Sequence, residues 1–274
     1  MDFSYAIPGI VVLVEWILAA VIYAVGWYGP KDDLNPVGAA LAVAGVVTAL
    51  VGIIWLAWSA PVDLALIQSS LASGLAVSTL TIYAVLSRRR QERLSAFAML
   101  VFAILIQAYA MGRLWLGREA IQLEVFLPAW AVIRTVTGLA GYGGLAVAAI
   151  LILLSFALSR MEGTLPDDRF KAFRDLSMLE WQCLQIALVA LSASLSVGLI
   201  RSWWGLGQVL VGGSAGALVT WLLLTAGVFG LMQDAVPLRL ARVLVVLACV
   251  VGVVALLTMA GPLIAGTSSL ASIG

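Results

Sequence analysis

Residues 131–158 read AVIRTVTGLAGYGGLAVAAILILLSFAL, 28 residues with a single charge, at Arg134. A membrane-crossing helix needs about 20 predominantly apolar residues to cover roughly 30 Å of hydrocarbon. This stretch meets that length with residues to spare. Moving outward from it, the same pattern recurs along the chain. Apolar runs cover Ile7 to Tyr28, Pro36 to Trp58, Leu64 to Ser87, Leu94 to Met111, Met178 to Ile200, Val211 to Met232 and Leu238 to Ala265. With the first, they make eight expected spans. The connections are short and broken by helix-stopping residues, as in Gly29-Pro30-Lys31-Asp32-Asp33 and Ser59-Ala60-Pro61-Val62-Asp63. Sequential spans are therefore expected to be antiparallel, in an all-α bundle. No stretch remains for a soluble domain, so residues 1–274 read as one integral membrane domain.

Composition agrees. Of 274 residues, 63% are hydrophobic and 11% charged, with mean hydropathy +1.11, against about 25% charged in an ordinary soluble domain. A net charge of +1 provides no field for nucleic acid. The partners to expect are other integral membrane subunits and lipids. Histidine is absent, which removes the commonest general base and metal ligand. Cys183 and Cys249 lie inside apolar runs without metal-site or disulfide spacing. Their expected role is packing.

Basic residues divide unequally between alternate connections. One side carries eleven, including Arg88, Arg89, Arg90 and Arg93, whereas the other carries Arg113, Arg118 and Arg201. Positively charged loops stay in the cytoplasm, so both termini are expected outside. The start Met1-Asp2-Phe3 lacks the basic region of a removable signal peptide, and the first helix is expected to remain. The run Arg88 to Arg93 reads as a topology anchor, with anionic lipid headgroups as a further ligand. Residues after Thr164-Leu165-Pro166 read as a separate interfacial helix, with Asp167 and Asp168 at its positive end. The outer segments are aromatic, at Trp55, Trp58, Trp115, Trp130, Trp203 and Trp204, as membrane interfaces favour. Glu119 to Trp130 reads as an amphipathic segment along the outer surface.

Ionisable groups inside spans are candidates for function. Glu15 lies about 12 Å into the first helix, at 1.5 Å per residue. It reads either as a functional carboxyl or as a hydrogen-bonded acid facing the bundle. Arg134 is shallow enough to reach outward or to meet a carboxylate or propionate. Glu180 reads as an interfacial group. Small residues cluster at Gly138 to Gly144 and at Gly212 to Gly216, the composition that lets helix backbones approach closely in lipid.

The stretch Arg201-Ser202-Trp203-Trp204-Gly205-Leu206-Gly207 reads as an outward loop and, followed by Thr220-Trp221-Leu222, resembles the haem-handling, tryptophan-rich membrane proteins of cytochrome c assembly, the CcsA/ResC-like family. That family carries an outer loop of the form WGxxWxWDPKExWALITWL. Placing Trp204-Gly205 on its opening WG brings Thr220-Trp221-Leu222 onto its closing TWL without a gap. Trp130 to Thr135 resembles its WLVIHV, and Gly138 to Gly143 its small-residue helix. Arg88 to Ala110 and Gly261 to Ile273 also resemble family segments, so that about three quarters of the chain is covered.

In that family, histidines and an aromatic, acidic outer loop hold haem. The resemblance places Arg134 at the first external histidine, Phe229 at the bundle histidine of the seventh helix and Ala271 at the second external histidine. The loop's later tryptophans and its aspartate become Gln208, Leu210 and Val211. The resemblance therefore implies a degenerate member. It would be a non-catalytic scaffold or docking subunit without its own haem ligation, beside a c-type cytochrome or a maturation subunit, in the bacterial cytoplasmic membrane. Haem enters only if a partner ligates it. The alternative is an accessory subunit of a respiratory or photosynthetic complex, packed against lipids, quinones or pigments. A small transporter using Glu15 and Arg134 is weaker, because no inverted repeat is visible.

Overall fold

The computed structural model describes residues 7–28, 35–59, 64–87, 93–116, 129–160, 167–206, 212–233 and 237–258. Eight helices account for almost all of them: α1 (Ile7–Tyr28), α2 (Asn35–Ser59), α3 (Leu64–Leu86), α4 (Arg93–Leu116), α5 (Ala129–Ser159), α6 (Asp167–Leu206), α7 (Gly212–Gln233) and α8 (Leu238–Thr258). All eight are long and apolar enough to cross a membrane, and the chain is an integral membrane protein.

Helix starts follow local chemistry. Pro36 sits just inside α2 after Asn35, where a missing N–H costs nothing. Pro237 precedes α8, and its carbonyl accepts from the N–H groups of Leu240 and Ala241 at 2.8 and 3.2 Å.

One expectation is corrected. Asp167 does begin a helix, but that helix is not a separate interfacial segment, nor is Arg201 to Leu206 a loop. Both belong to α6, which runs unbroken for 40 residues, about 60 Å at 1.5 Å per residue. The reason is local. No proline occurs between Asp167 and Leu206, and the charged stretch before Ser177 is rich in good helix formers such as Arg, Lys, Ala and Leu. The charges end the apolar run without ending the helix.

Side-chain contacts give the directions of the helices. Pro8, Trp16 and Tyr23 of α1 meet Gly52, Gly45 and Gly38 of α2 in descending order, which makes the pair antiparallel. Gly138, Gly141 and Gly144 of α5 meet Ser194, Leu191 and Ala187 of α6 in the same way. α3 and α5 run parallel, with Leu139 against Gly74 and Gly143 against Ser78. Tyr109 of α4 donates to the Leu257 carbonyl of α8 at 3.5 Å. These registers put the start of α1 and the end of α8 at the same end of the bundle, opposite the basic connections.

α5 is the axis of the structure. Residues Gly141 to Ala149 are buried without interruption, as expected of a helix apolar on every side. Lipid tails are as apolar as leucine, so helices in a bilayer gain little from hydrophobicity by associating. They gain from close packing and interhelical hydrogen bonds. Both occur here. A Cβ on Gly144 would fall 3.1 Å from the Cys183 carbonyl oxygen and 3.2 Å from the Ala187 nitrogen, both backbone atoms of α6. Ser78 donates to the Leu139 carbonyl at 2.8 Å, and Ser194 to the Arg134 carbonyl at 2.9 Å. Outward faces are apolar at helical spacing, as in Val14, Leu18 and Val21 of α1 and Val243, Leu247, Val250 and Val254 of α8. A continuous apolar exterior of this kind suits a bilayer. Cys183 and Cys249 are buried and unpaired, in keeping with a packing role.

Candidate functional site

The resemblance points to α5, α6 and α7, with Arg134 toward the end opposite the basic connections and Phe229 toward the basic end. Arg134 occupies the second turn of α5 and is partly buried. Its guanidinium lies over Gly198 of α6, with Cζ and Nε each 3.1 Å from where a Cβ would stand. Gly198 is therefore the residue that lets this arginine cross the helix. Among the described residues, no carboxylate pairs with it.

Trp221 lies on α7, partly buried, and its Nε1–H donates to Ser192 Oγ at 2.8 Å. Phe229, further along α7, is 56% exposed on the outer surface. These three positions do not share a site. Arg134 is tied through its carbonyl to Ser194, and Trp221 to Ser192. Residues two apart on a helix point about 200° from each other at 3.6 residues per turn. α6 thus stands between Arg134 and Trp221, while Phe229 faces away from both helices' buried surfaces.

Trp203 and Trp204 lie in the last turns of α6, and their side chains fall outside the described residues, as do Ala271 and the whole of Glu119 to Pro128. A haem does not fit the described positions. Arginine, tryptophan and phenylalanine offer no nitrogen or sulfur ligand to iron, and they diverge instead of converging.

Glu15 is partly buried on α1. It falls seven residues after Pro8 and seven before Ile22, both of which meet α2, so it belongs to the stripe that faces that helix. Its Oε2 is enclosed without a hydrogen-bond partner. One residue on, Trp16 is fully buried, and its indole donates to the Ala42 carbonyl of α2 at 3.3 Å.

Glu180 stands near the start of its span, at the end expected from the sequence, but it is 5% exposed, and it accepts two hydrogen bonds from Arg242 of α8. The distances are 3.3 Å from Nε to Oε1 and 3.0 Å from Nη2 to Oε2. This fork-to-fork geometry is the strongest arrangement for an arginine and a carboxylate. It clamps α6 to α8 near the basic end. Nothing in the sequence shows which acid Arg242 meets, because the two residues lie on different spans.

Three further polar side chains went unremarked in the sequence: Ser69, Ser73 and Gln107 are all buried among α1 to α4. The available signal was their occurrence inside otherwise apolar spans. No protein family, curated protein or solved structure matches the chain.

Proposed function

We propose that this chain is a non-catalytic scaffold or docking subunit of the haem-handling, cytochrome c assembly type, held in the bacterial cytoplasmic membrane. A neighbouring subunit, not this one, would ligate haem. The observation that carries the reading is the fate of the resembling positions. Arg134 is spent on packing against Gly198, Trp221 on a hydrogen bond to Ser192, and Phe229 on the outer surface. The first two hold helices together and the third lies on the outer surface, and none of the three presents a ligand to a cofactor. The close α5–α6 seam supports a rigid platform, since its backbone contacts leave no space for a planar group between those helices.

The apolar exterior of α1, α2 and α8 also supports a second reading. In it, the same platform packs inside a respiratory or photosynthetic complex, against lipids, quinones or pigments.

Purification of the full chain in mild detergent, followed by quantitative mass spectrometry of what accompanies it, separates the two. The first reading expects stoichiometric cytochrome-maturation subunits or a c-type cytochrome. Respiratory or photosynthetic subunits in their place would reject it in favour of the second. Recovery as a lone monomer would reject both.

A further inference from the structure

Arg134 stands two residues inside the apolar span that begins at Val132, and Gly198 two residues before the end of the span that closes at Ile200. At 1.5 Å per residue both lie about 3 Å within the apolar region, beside the headgroup layer that borders the hydrocarbon. The register that sets Gly141 against Leu191 and Gly138 against Ser194 continues toward this end to set Arg134 against Gly198. The guanidinium therefore reaches level across the seam between α5 and α6. A basic side chain that only sought water would extend along its own helix toward the polar phase.

Arg134 is held at both of its ends. Its carbonyl accepts from Ser194 at 2.9 Å and from Thr137 at 3.2 Å. At the other end, Cζ and Nε stand 3.1 Å and Nη2 3.5 Å from the position of a Cβ on Gly198. Because Cζ is no farther than the two nitrogens bonded to it, Gly198 lies under the flat face of the guanidinium. The N–H groups lie in that plane, so packing on Gly198 does not consume them. They need acceptors, and a cation beside hydrocarbon needs an anion. Among the described residues none supplies either. α5 carries no Asp or Glu. The acid of α6 nearest to Gly198 is Glu180, 18 residues and about 27 Å away along the helix, and it is already paired with Arg242. Glu15 stands on α1, which packs on α2 and α4.

Apolar side chains flank the arginine and are open to the bilayer. Ile133 and Val136 of α5 are 53% and 60% exposed, and Leu199 and Ile200 of α6 are 37% and 54% exposed. A cation between two lipid-facing edges suits a ligand with an anionic head and hydrocarbon tails. We infer that Arg134, seated over Gly198, binds the phosphodiester of a phospholipid. The guanidinium N–H groups donate to the phosphate oxygens, and the glycerol and acyl carbons lie against the edges around Val136 and Leu199. Arginine suits this task because its planar fork meets two phosphate oxygens at once. A head with its own ammonium finds no carboxylate here, so phosphatidylglycerol is favoured over phosphatidylcholine. Free phosphate shares the recognised group but would leave the apolar edges uncovered. This inference needs only the membrane placement of the bundle and stands apart from the scaffold reading.

The test uses the full chain, delipidated in mild detergent and titrated by native mass spectrometry. The probes are dioleoyl phosphatidylglycerol, dioleoyl phosphatidylcholine and dioleoylglycerol, which shares the tails but lacks the phosphate. Affinity is expected to fall in that order, with phosphatidylglycerol about tenfold above dioleoylglycerol, the size of one charge-assisted hydrogen bond. Arg134→Gln should remove that advantage and leave dioleoylglycerol binding unchanged. Gly198→Leu, which fills the seat while keeping the charge, should remove it too. Arg134→Lys keeps a cation without the fork; it should bind phosphatidylglycerol with an affinity between those of the wild type and Arg134→Gln, and it covers the case in which Arg134→Gln does not fold.

Equal binding of phosphatidylglycerol by the wild type and Arg134→Gln would overturn the inference, as would equal affinity of the wild type for phosphatidylglycerol and dioleoylglycerol. So would an equal loss in Arg113→Gln, because Arg113, near the end of the α4 span, shares the charge and the end of the bundle but not the seat. Inorganic phosphate in large excess should leave bound phosphatidylglycerol in place. Displacement by it would reject a lipid in favour of free phosphate.

Discussion

Replacing Gly141 by alanine adds one methyl group to the seam between α5 and α6. A Cβ at that position falls 2.6 Å from Leu191 Cγ and 2.9 Å from both Leu191 Cδ2 and the Leu191 backbone nitrogen. Non-bonded heavy atoms settle at about 3.5–4.0 Å, so the two helices must part by roughly 0.6 Å for the backbone contact alone. Leu191 cannot swing aside, being 2% exposed. Overpacking of this kind costs about 1–3 kcal/mol.

Helix propensity works in the other direction, because alanine is favoured over glycine by about 0.5–1 kcal/mol. Gly112 isolates that effect, since a Cβ there meets nothing within 4 Å. The expected outcome is that Gly112→Ala is neutral or stabilising. Gly141→Ala should fall below it by about 1–3 kcal/mol. Unfolding by SDS titration in mixed micelles, followed by tryptophan fluorescence and circular dichroism, measures the gap. Equal midpoints for the two variants would refute the reasoning, because the seam would then not be a close backbone contact.

Removing one partner of the Glu180–Arg242 pair, as in Arg242→Leu, should cost about 3–5 kcal/mol by leaving a buried carboxylate alone. The double variant Glu180→Leu with Arg242→Leu should recover most of that loss in the same titration, and failure to do so would mean that the pair is not buried. A double-mutant cycle between Trp221→Phe and Ser192→Ala should give a coupling of about 0.6 kcal/mol, the average for hydrogen bonds inside a membrane. Strict additivity would contradict the contact. Membrane-impermeant maleimide should label Trp115→Cys in intact cells and Arg160→Cys only after permeabilisation, with no signal from the buried Cys183 and Cys249. Reversed accessibility would invert the orientation drawn from the basic loops.

The span pattern was legible because hydropathy reports length and apolarity directly. α1 begins and ends at the expected Ile7 and Tyr28. The α6 boundaries were not legible in the same way, since charge marks where the bilayer ends and not where helical hydrogen bonding stops. The glycines from Gly138 to Gly144 announced close packing, and their partners on α3 and α6 match that expectation. Their sequence could not say which helices they meet.

For the same reason the pairing of Glu180 was not legible. Its partner Arg242 lies 62 residues away, and a long-range pair has no local signature. Gln107, Ser69 and Ser73 are modest polar residues in apolar runs, individually unremarkable. Only the packing of α1 to α4 brings them to one crevice.

The proposed function has this polypeptide serve as a platform while a neighbouring subunit ligates haem. Purified chain, freed of copurifying subunits and titrated with haem, tests it by absorbance and electron paramagnetic resonance. The account predicts weak, non-stoichiometric association without a ligated low-spin signal. One haem per chain, with a Soret band and an axial ligand supplied by the chain's own atoms, would contradict it.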